Sequence, residues 1–288
     1  MKIILSRKGF DSTLGGCASP IFEDGSILSL PIPHCFASTP VPDPALRVNY
    51  CDVHSNKAIG KIVEGLTATL KKPVRATDAT HLDPDLREES LPRKTGWRPL
   101  FGQADAAQRH LDKFGVGAGD IFLFFGWFKE VVERDGQFRF KRGARDLHLI
   151  FGWLEVGEVW RLGKEDFPTP DWAEMHPHIV SNYGPTNTVY VAKETRNGYS
   201  AGAFRWFKKE LVLTAPERSR SFWRLPTWFR FRKEVATLSY HSNPARWRLD
   251  ADCSYLQTVG RGQEFILDTN AYPQAEEWAR RLISENSH

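Results

Sequence analysis

The chain has 288 residues, 41% hydrophobic and 26% charged, with a formal net charge of +4. That balance excludes a disordered tail or a fibrous repeat and suits a globular protein with a substantial core. The opening Met1-Lys2-Ile3-Ile4-Leu5-Ser6-Arg7 is too short an apolar run for a secretory signal and no stretch approaches a membrane span, so the expectation is a soluble, cytoplasmic protein with no membrane partner.

In chain order, residues 2–5 read as a first strand. It empties into Ser6-Arg7-Lys8-Gly9-Phe10-Asp11-Ser12 and Gly15-Gly16, a loop in which cations and backbone amides can converge on an anion. Neither a Walker nor a dinucleotide glycine spacing is present. Six prolines between 20 and 46 exclude helix and predict an ordered wrapping loop with an edge strand over 27–32. Ile59, Ile62, Val63 and Leu66 line up as one face of a helix over 58–70. His81, Asp83 and Asp85 sit close in sequence, but Pro84 and the local polarity read as a surface turn that lacks a third and fourth metal ligand.

Residues 103–114 form the clearest internal helix pattern, with Ala106, Ala107, His110, Leu111 and Phe114 on one stripe and His110 read as a packing residue. Gly115-Val116-Gly117 ends it, and Gly119-Asp120 leads into a nine-residue pattern that occurs twice: Asp120-Ile-Phe-Leu-Phe-Phe-Gly126-Trp127-Phe128 and Asp146-Leu-His-Leu-Ile-Phe-Gly152-Trp153-Leu154. Both copies read as buried aromatic strands. Asp135-Gly136 between them predicts a turn and hence antiparallel neighbours. Period two places Leu123, Phe125 and Trp127 on one face, and Leu149, Phe151 and Trp153 likewise. The glycines before each Trp predict close approach of another backbone or a flat ligand. Trp127 and Trp153 are then either core fillers or stacking platforms.

Residues 164–186 are a polar excursion with His176-Pro177-His178, which by itself offers no metal geometry. A strand over 188–192 follows. Residues 196–248 hold twelve Lys or Arg against three Glu, a net +9 that leaves the rest of the chain at −5. Within it, Arg218-Ser-Arg220-Ser-Phe-Trp223-Arg224 and Trp228-Phe-Arg-Phe-Arg232 alternate cations with aromatics, which suits phosphates and stacked bases; the bland reading is a solvated basic rim. A turn at 260–262 leads to a last strand, with Arg261, Gln263 and Glu264 placed to read a ligand edge. Pro273 starts a terminal helix over 274–284 that packs Ala275, Trp278, Ala279 and Leu282. The four cysteines, 17, 35, 51 and 253, have no metal spacing and read as reduced intracellular thiols.

Three groups of residues together resemble one family: the loop Ser6 to Ser12 with Gly15-Gly16, the paired Phe-Gly-Trp strands after Gly119-Asp120, and the tail Arg261-Gly262-Gln263-Glu264-Phe265. They are similar to the third type of nucleotide modification associated domain, known from its company with DNA base-modification and phage-conflict genes. That resemblance implies a nucleic-acid context rather than a mechanism. The order helix, Gly-Asp, strand and Val156-Gly157-Glu158-Val159 is also similar to the barrel of PUA-like domains over residues 103–195.

The expected fold is α+β, a mixed or antiparallel, partly closed β-barrel of PUA-like kind with helices packed outside. It forms a single domain, 1–288, with its barrel core at about 103–195. The expected function is recognition of a nucleotide or modified nucleobase, DNA favoured, in a base-modification or phage-defence setting. Arg7, Lys8, Ser12, Arg218, Arg220, Trp223, Arg224, Arg261 and Gln263 then bind the nucleotide, and Trp127 or Trp153 stacks the base. The alternative is an enzyme that modifies a base or acts at its phosphodiester, with Asp11, His176, His178 and Glu264 as acid/base candidates. A third reading is a protein-binding module with a basic rim. No metal or cofactor is assigned.

Overall fold

The two aromatic repeats become the long central strands of one sheet, Ile121–Arg134 and Leu147–Trp160. They are antiparallel neighbours, as the turn predicts, running from Ile121 opposite Glu155 to Phe128 opposite Leu147. The register slips at Phe124/Phe125, so that Phe124 faces Gly152 while Phe125 faces Ile150. Phe122, Leu123, Phe124 and Phe125 are all fully buried, which is why the run shows no polar alternation. The computed structural model describes residues 1–35, 39–164, 167–233, 238–260 and 262–287.

Asp135 and Gly136 both have positive φ, 53° and 72°, as a two-residue hairpin turn of the primed type requires. The turn leads first into a short strand, Gln137–Phe140, and only then to the second repeat. Lys2–Arg7 lies parallel to Ile121–Arg134 on one side, with Glu264–Asp268 antiparallel beyond it. On the other side come Leu147–Trp160, Thr188–Ala192 and Leu100–Gln103. The close approaches expected at the repeat glycines are present. A Cβ on Gly126 would stand 2.8 Å from the Lys8 carbonyl oxygen, and one on Gly152 2.9 Å from that of Gly202.

No closed barrel forms. The strand ladder ends at Leu100–Gln103 on one edge and Glu264–Asp268 on the other, with only isolated backbone bonds beyond them to Asp85 and Ser239, and the sheet is mixed and open among the described residues. What links the two outer strands is a side-chain bond, Gln103 Nε2 donating to Glu264 Oε1 at 2.6 Å. The predicted helices are found as Ile59–Thr67, Asp105–Lys113 and Gln274–Asn286. The last buries Ala275, Trp278, Ala279 and Leu282 as its stripe predicts. None of the helices among the described residues is long and apolar enough to cross a membrane.

Asp120, at the head of the first repeat, ties this framework together. Its Oδ1 accepts from the Lys2 backbone amide at 2.7 Å and its Oδ2 from that of Gly117 at 3.0 Å. Both bonds are lost in Asp120→Ala, leaving two amides unsatisfied beside the core. We expect a loss of about 2–3 kcal/mol in denaturant unfolding.

A second, three-stranded sheet forms from Phe222–Leu225, Ser254–Gln257 and Trp247–Leu249. Its inner side buries Trp223, Leu225 and Leu256 in the core. Arg224 and Arg248 both pair with Tyr255 across the strands and share its outer side.

Candidate active site

The site begins where Lys2–Arg7 leaves the sheet. Gly9, Gly15 and Gly16 all take positive φ there. At Gly15 the requirement is double, because a Cβ would also stand 2.3 Å from the Phe10 ring beneath it. Asp11 holds the turn, its Oδ1 accepting from the amides of Thr13 at 2.6 Å and Leu14 at 2.7 Å. Arg7 donates to the Gly262 carbonyl at 2.8 Å, and burial pushes its guanidinium pKa down. Lys8 reaches Glu264 Oε1 at 2.9 Å and lies 4.6 Å from the Phe101 ring centre.

Glu264 is the hub behind this wall. Its Oε1 accepts from Ser6 Oγ, Lys8 Nζ and Gln103 Nε2, while its buried Oε2 has no partner among the described residues. The carboxylate therefore fixes Ser6 in the first strand, Lys8 just beyond its end and Gln103 in the outer strand Leu100–Gln103.

The opposite wall joins the two histidine stretches that looked incomplete one at a time. Residues 78–85 are not a surface turn: the side chains of His81, Asp83 and Asp85 are 12%, 5% and 4% exposed. Asp85 is buried in a bidentate pair with Arg93, and Asp83 faces the histidines of residues 176–178. Asp83 Oδ1 accepts from the Gly102 amide at 2.7 Å and lies 3.2 Å from His176 Nε2. Burial opposes its ionisation, but the nearby imidazoles of His176 and His81 prevail and hold the carboxyl below the usual range.

His178 lies flat against Gly102, where only a glycine leaves room for the ring. Its Nδ1 is 2.8 Å from Asn187 Oδ1, and the Asn187 amide nitrogen donates to the His178 carbonyl at 2.8 Å. That second bond orients the amide, so Nδ1 carries the proton and Nε2 the lone pair. Burial pushes the His178 pKa down to about 3, which keeps the ring neutral. Tyr183 stacks on it at 4.1 Å between ring centres and meets His81 Nδ1 through its hydroxyl at 3.1 Å.

Between the walls lies a cleft of about 640 Å³, bordered by Arg7, Lys8, Asp11, His81, Asp83, Gln103, His178, Tyr183, Tyr240 and Gln263. Of the residues expected from sequence, Arg7, Lys8, Asp11, His178 and Gln263 thus meet at one place. Glu264 stands directly behind them and His176 behind Asp83. Ser12 is exposed and does not border the cleft, and Arg261 lies outside the described residues.

The tryptophans fall elsewhere. Trp223 is fully buried and donates to His148 Nδ1 at 3.0 Å. Trp153 is buried, stacked on Phe204 and closed off by Gly202. Neither offers a face to a base, because each was spent on the core. Trp127 is half-buried, and Arg220 covers its ring at 3.9 Å. Arg218 and Arg224 border a separate open groove of about 700 Å³ together with Arg248, Phe222 and Tyr255. Phe222 and Tyr255 stack there at 5.5 Å.

Sequence reasoning passed over Gln103 and Tyr183 as site residues. Tyr240 lay in the basic aromatic segment without being singled out; the structure gives it a positive φ of 68°, 46% exposure and a stack on His110 at 4.1 Å.

Fold and site define an α+β protein whose open mixed sheet carries a cleft walled by cations on one side and by imidazoles with a buried carboxylate on the other. The family model for nucleotide modification associated domain 3 matches residues 2–268, and the chain belongs to that family. No match to a curated protein or to a solved structure was found.

Proposed function

We propose that this protein modifies a nucleotide unit of a nucleic acid, DNA being the favoured substrate, in the cleft between Arg7–Asp11 and the His81–Asp83–His178 wall. The observation that carries this reading is convergence: two cations, two imidazoles and the three carboxylates of Asp11, Asp83 and Asp105 border one cavity of about 640 Å³. Ligand pockets run to roughly 300–1,000 Å³, which includes a nucleotide. Recognition alone calls for cations and an aromatic platform. It does not call for buried imidazoles and a carboxylate facing the ligand, whereas chemistry on a base needs groups that hold and move protons.

Family membership supports the nucleotide setting. In this reading Arg7 and Arg220 face the phosphate, and Tyr240 serves as the base platform in place of the buried tryptophans. Asp11 and His178 stand beside the reacting atoms, with Glu264 positioning Lys8 and Gln103.

The outer face of the small sheet supports a polymer rather than a free nucleotide. Arg218, Arg224 and Arg248 surround the stacked Phe222 and Tyr255 there, a pairing of cations with rings that suits single-stranded nucleic acid. Arg218 is two residues from Arg220, so their Cα atoms are at most about 7 Å apart. Arg220 is close enough to Arg7 and Asp11 to alter the charge balance at the cleft. In this reading one strand of nucleic acid occupies both the groove and the cleft.

The test is nucleoside mass spectrometry of DNA from cells carrying the wild type or Asp11→Asn. A nucleoside gained or lost only with the wild type is expected; an unchanged pool with retained DNA binding would replace modification by recognition. A second measurement checks the path. Replacing Arg218, Arg224 and Arg248 together by alanine is expected to lower the slope of log affinity against log salt by about 2, at roughly 0.7 per single-strand phosphate contact. Wild-type binding that ignores salt removes nucleic acid from the proposal, as does an acidic protein that competes where DNA does not.

A further inference from the structure

We infer that His81, Asp83 and His178 form a binding site for one divalent transition-metal ion, held by two imidazoles and one carboxylate and open toward the cleft. The inference does not rest on the nucleotide reading. It rests on four observations.

First, one ligand atom from each of the three residues lies within 4.8 Å of the others, among side chains of which Asp83 and His178 are buried. Bonds of about 2.1 Å place ligand atoms roughly 3–3.5 Å apart, so the set closes by about an ångström around an ion. His81, at the cleft wall and 12% exposed, is the least buried of the three.

Second, the free ligand atoms are the right ones. His178 uses Nδ1 on Asn187, which leaves the Nε2 lone pair. His81 meets Tyr183 through Nδ1, so Nε2 is the ring nitrogen turned toward Asp83. Asp83 uses Oδ1 on the Gly102 amide, while its Oδ2 faces His81 Nε2 at 3.8 Å, too far for a hydrogen bond.

Third, every ligand has a supporting partner. Metal-bound imidazoles almost always hold a hydrogen bond on the other ring nitrogen, which fixes ring and tautomer, and bound carboxylates are themselves hydrogen-bonded. Tyr183, Asn187 and the Gly102 amide supply this for His81, His178 and Asp83 respectively.

Fourth, a purely structural role explains less. A buried carboxylate that needs one counter-group already has His176 at 3.2 Å and a backbone amide at 2.7 Å. Two further imidazoles, one with its lone pair left bare at the edge of a cavity, add nothing to that requirement. Two nitrogens and one oxygen favour iron, cobalt, nickel or zinc over magnesium or calcium, and three protein ligands leave coordination positions free for water or substrate.

The experiment uses the full chain without a histidine tag, stripped with chelator and titrated with cobalt(II) and with zinc(II). Cobalt reports its own ligands through visible absorption. We expect one ion per chain, nitrogen-ligated cobalt bands and a rise in Tm on loading. His81→Ala and Asp83→Asn are expected to weaken binding by at least about 100-fold. Asn187→Ala, which touches no ion, is expected to weaken it by about 10- to 100-fold by freeing the His178 ring. His54→Ala, exposed and elsewhere, is expected to change nothing. His81→Ala is the deciding variant because it sits at the cleft wall, and its metal-free Tm reports whether the fold survives.

A wild type that takes up no cobalt or zinc, or a folded His81→Ala that binds as tightly as wild type, overturns the inference. Nucleic acid is absent from these measurements, so their failure leaves the modification reading standing. An unchanged nucleoside pool in turn leaves the metal site standing.

Discussion

Gly102→Ala is expected to be among the most damaging single substitutions in this protein, although it adds one methyl group. A Cβ at this position would lie 2.2 Å and 2.3 Å from His178 Cδ2 and Cγ, well inside van der Waals contact. The ring has nowhere to go. Asn187 holds it at two points, Tyr183 stacks on its other side, and the residue is 5% exposed. Either the ring or the outer strand Leu100–Gln103 must move, and the strand carries the amide that binds Asp83. Overpacking of this kind costs about 1–3 kcal/mol, and the strained Asp83 bond places this case at the upper end. At roughly 2–4 °C per kcal/mol for a chain near this size, Tm should fall by about 5–10 °C. Gly117→Ala is the control, because its φ is ordinary and a Cβ there would meet no heavy atom within 4 Å. It should stay within about 0.5 kcal/mol of wild type. Equal Tm values for the two variants would remove the glycine from the account of the site.

The second large effect is on acid stability and comes from His148. This histidine is buried beneath Trp223 and Phe125, and desolvation, with help from the nearby charges of Arg220 and Arg7, pushes its pKa from 6.5 down to about 3. The unfolded chain therefore takes up the proton first. The contribution of this group is fully present above pH 6.5 and is lost as pH falls from 6.5 toward 3, at up to about 1.4 kcal/mol per pH unit. By pH 5 the loss from His148 reaches about 2 kcal/mol. His241, pushed down to about 4 by burial, adds a smaller loss over the same window. His148→Gln keeps an acceptor for the Trp223 indole but cannot titrate. It should be less stable than wild type at pH 7, and the difference should shrink as pH falls from 6.5 to 4.5 in urea unfolding. A difference that stays constant across that window would falsify the neutral, buried imidazole.

Much of the framework is legible in the sequence because local signals and long-range packing agree. The repeat strands are long apolar runs with nothing to compete, Asp135-Gly136 can hardly do anything but turn, and the helix stripe at 274–286 matches the face that is buried. At Asp105–Lys113 the helix is found but its stripe is not, since Gln108 and Leu111 are the buried residues while Ala106 and Phe114 are exposed. Which indoles are reachable is not legible. A strand buried on both sides gives no inside and outside, and the bulge beside Phe125 resets the alternation on which a face assignment depends. Closure of the sheet is equally hidden, since it depends on whether two edges 161 residues apart in sequence pair by backbone or only through Gln103 and Glu264.

The site shows the same limit more sharply. His81 with Asp83, Gly102, and His176 with His178 are three fragments, none of which has enough partners of its own. Judged one at a time, each histidine stretch fails the ligand count. They become one wall because Leu100–Gln103 runs beside Thr188–Ala192, which draws Asn187 and His178 onto Gly102 and against Asp83. The cationic half was easier to read, because Arg7, Lys8 and Asp11 are consecutive or nearly so and a strand that ends in a glycine loop presents them together.

The single side-chain bond between Gln103 and Glu264 has a consequence for how a long molecule could enter. A cylinder sealed by a backbone ladder admits a polymer only by threading from a free end. Here the outer strands are joined by a carboxamide that borders the cleft and a carboxylate buried behind it, with no backbone ladder between them, so the sheet itself does not require entry by threading.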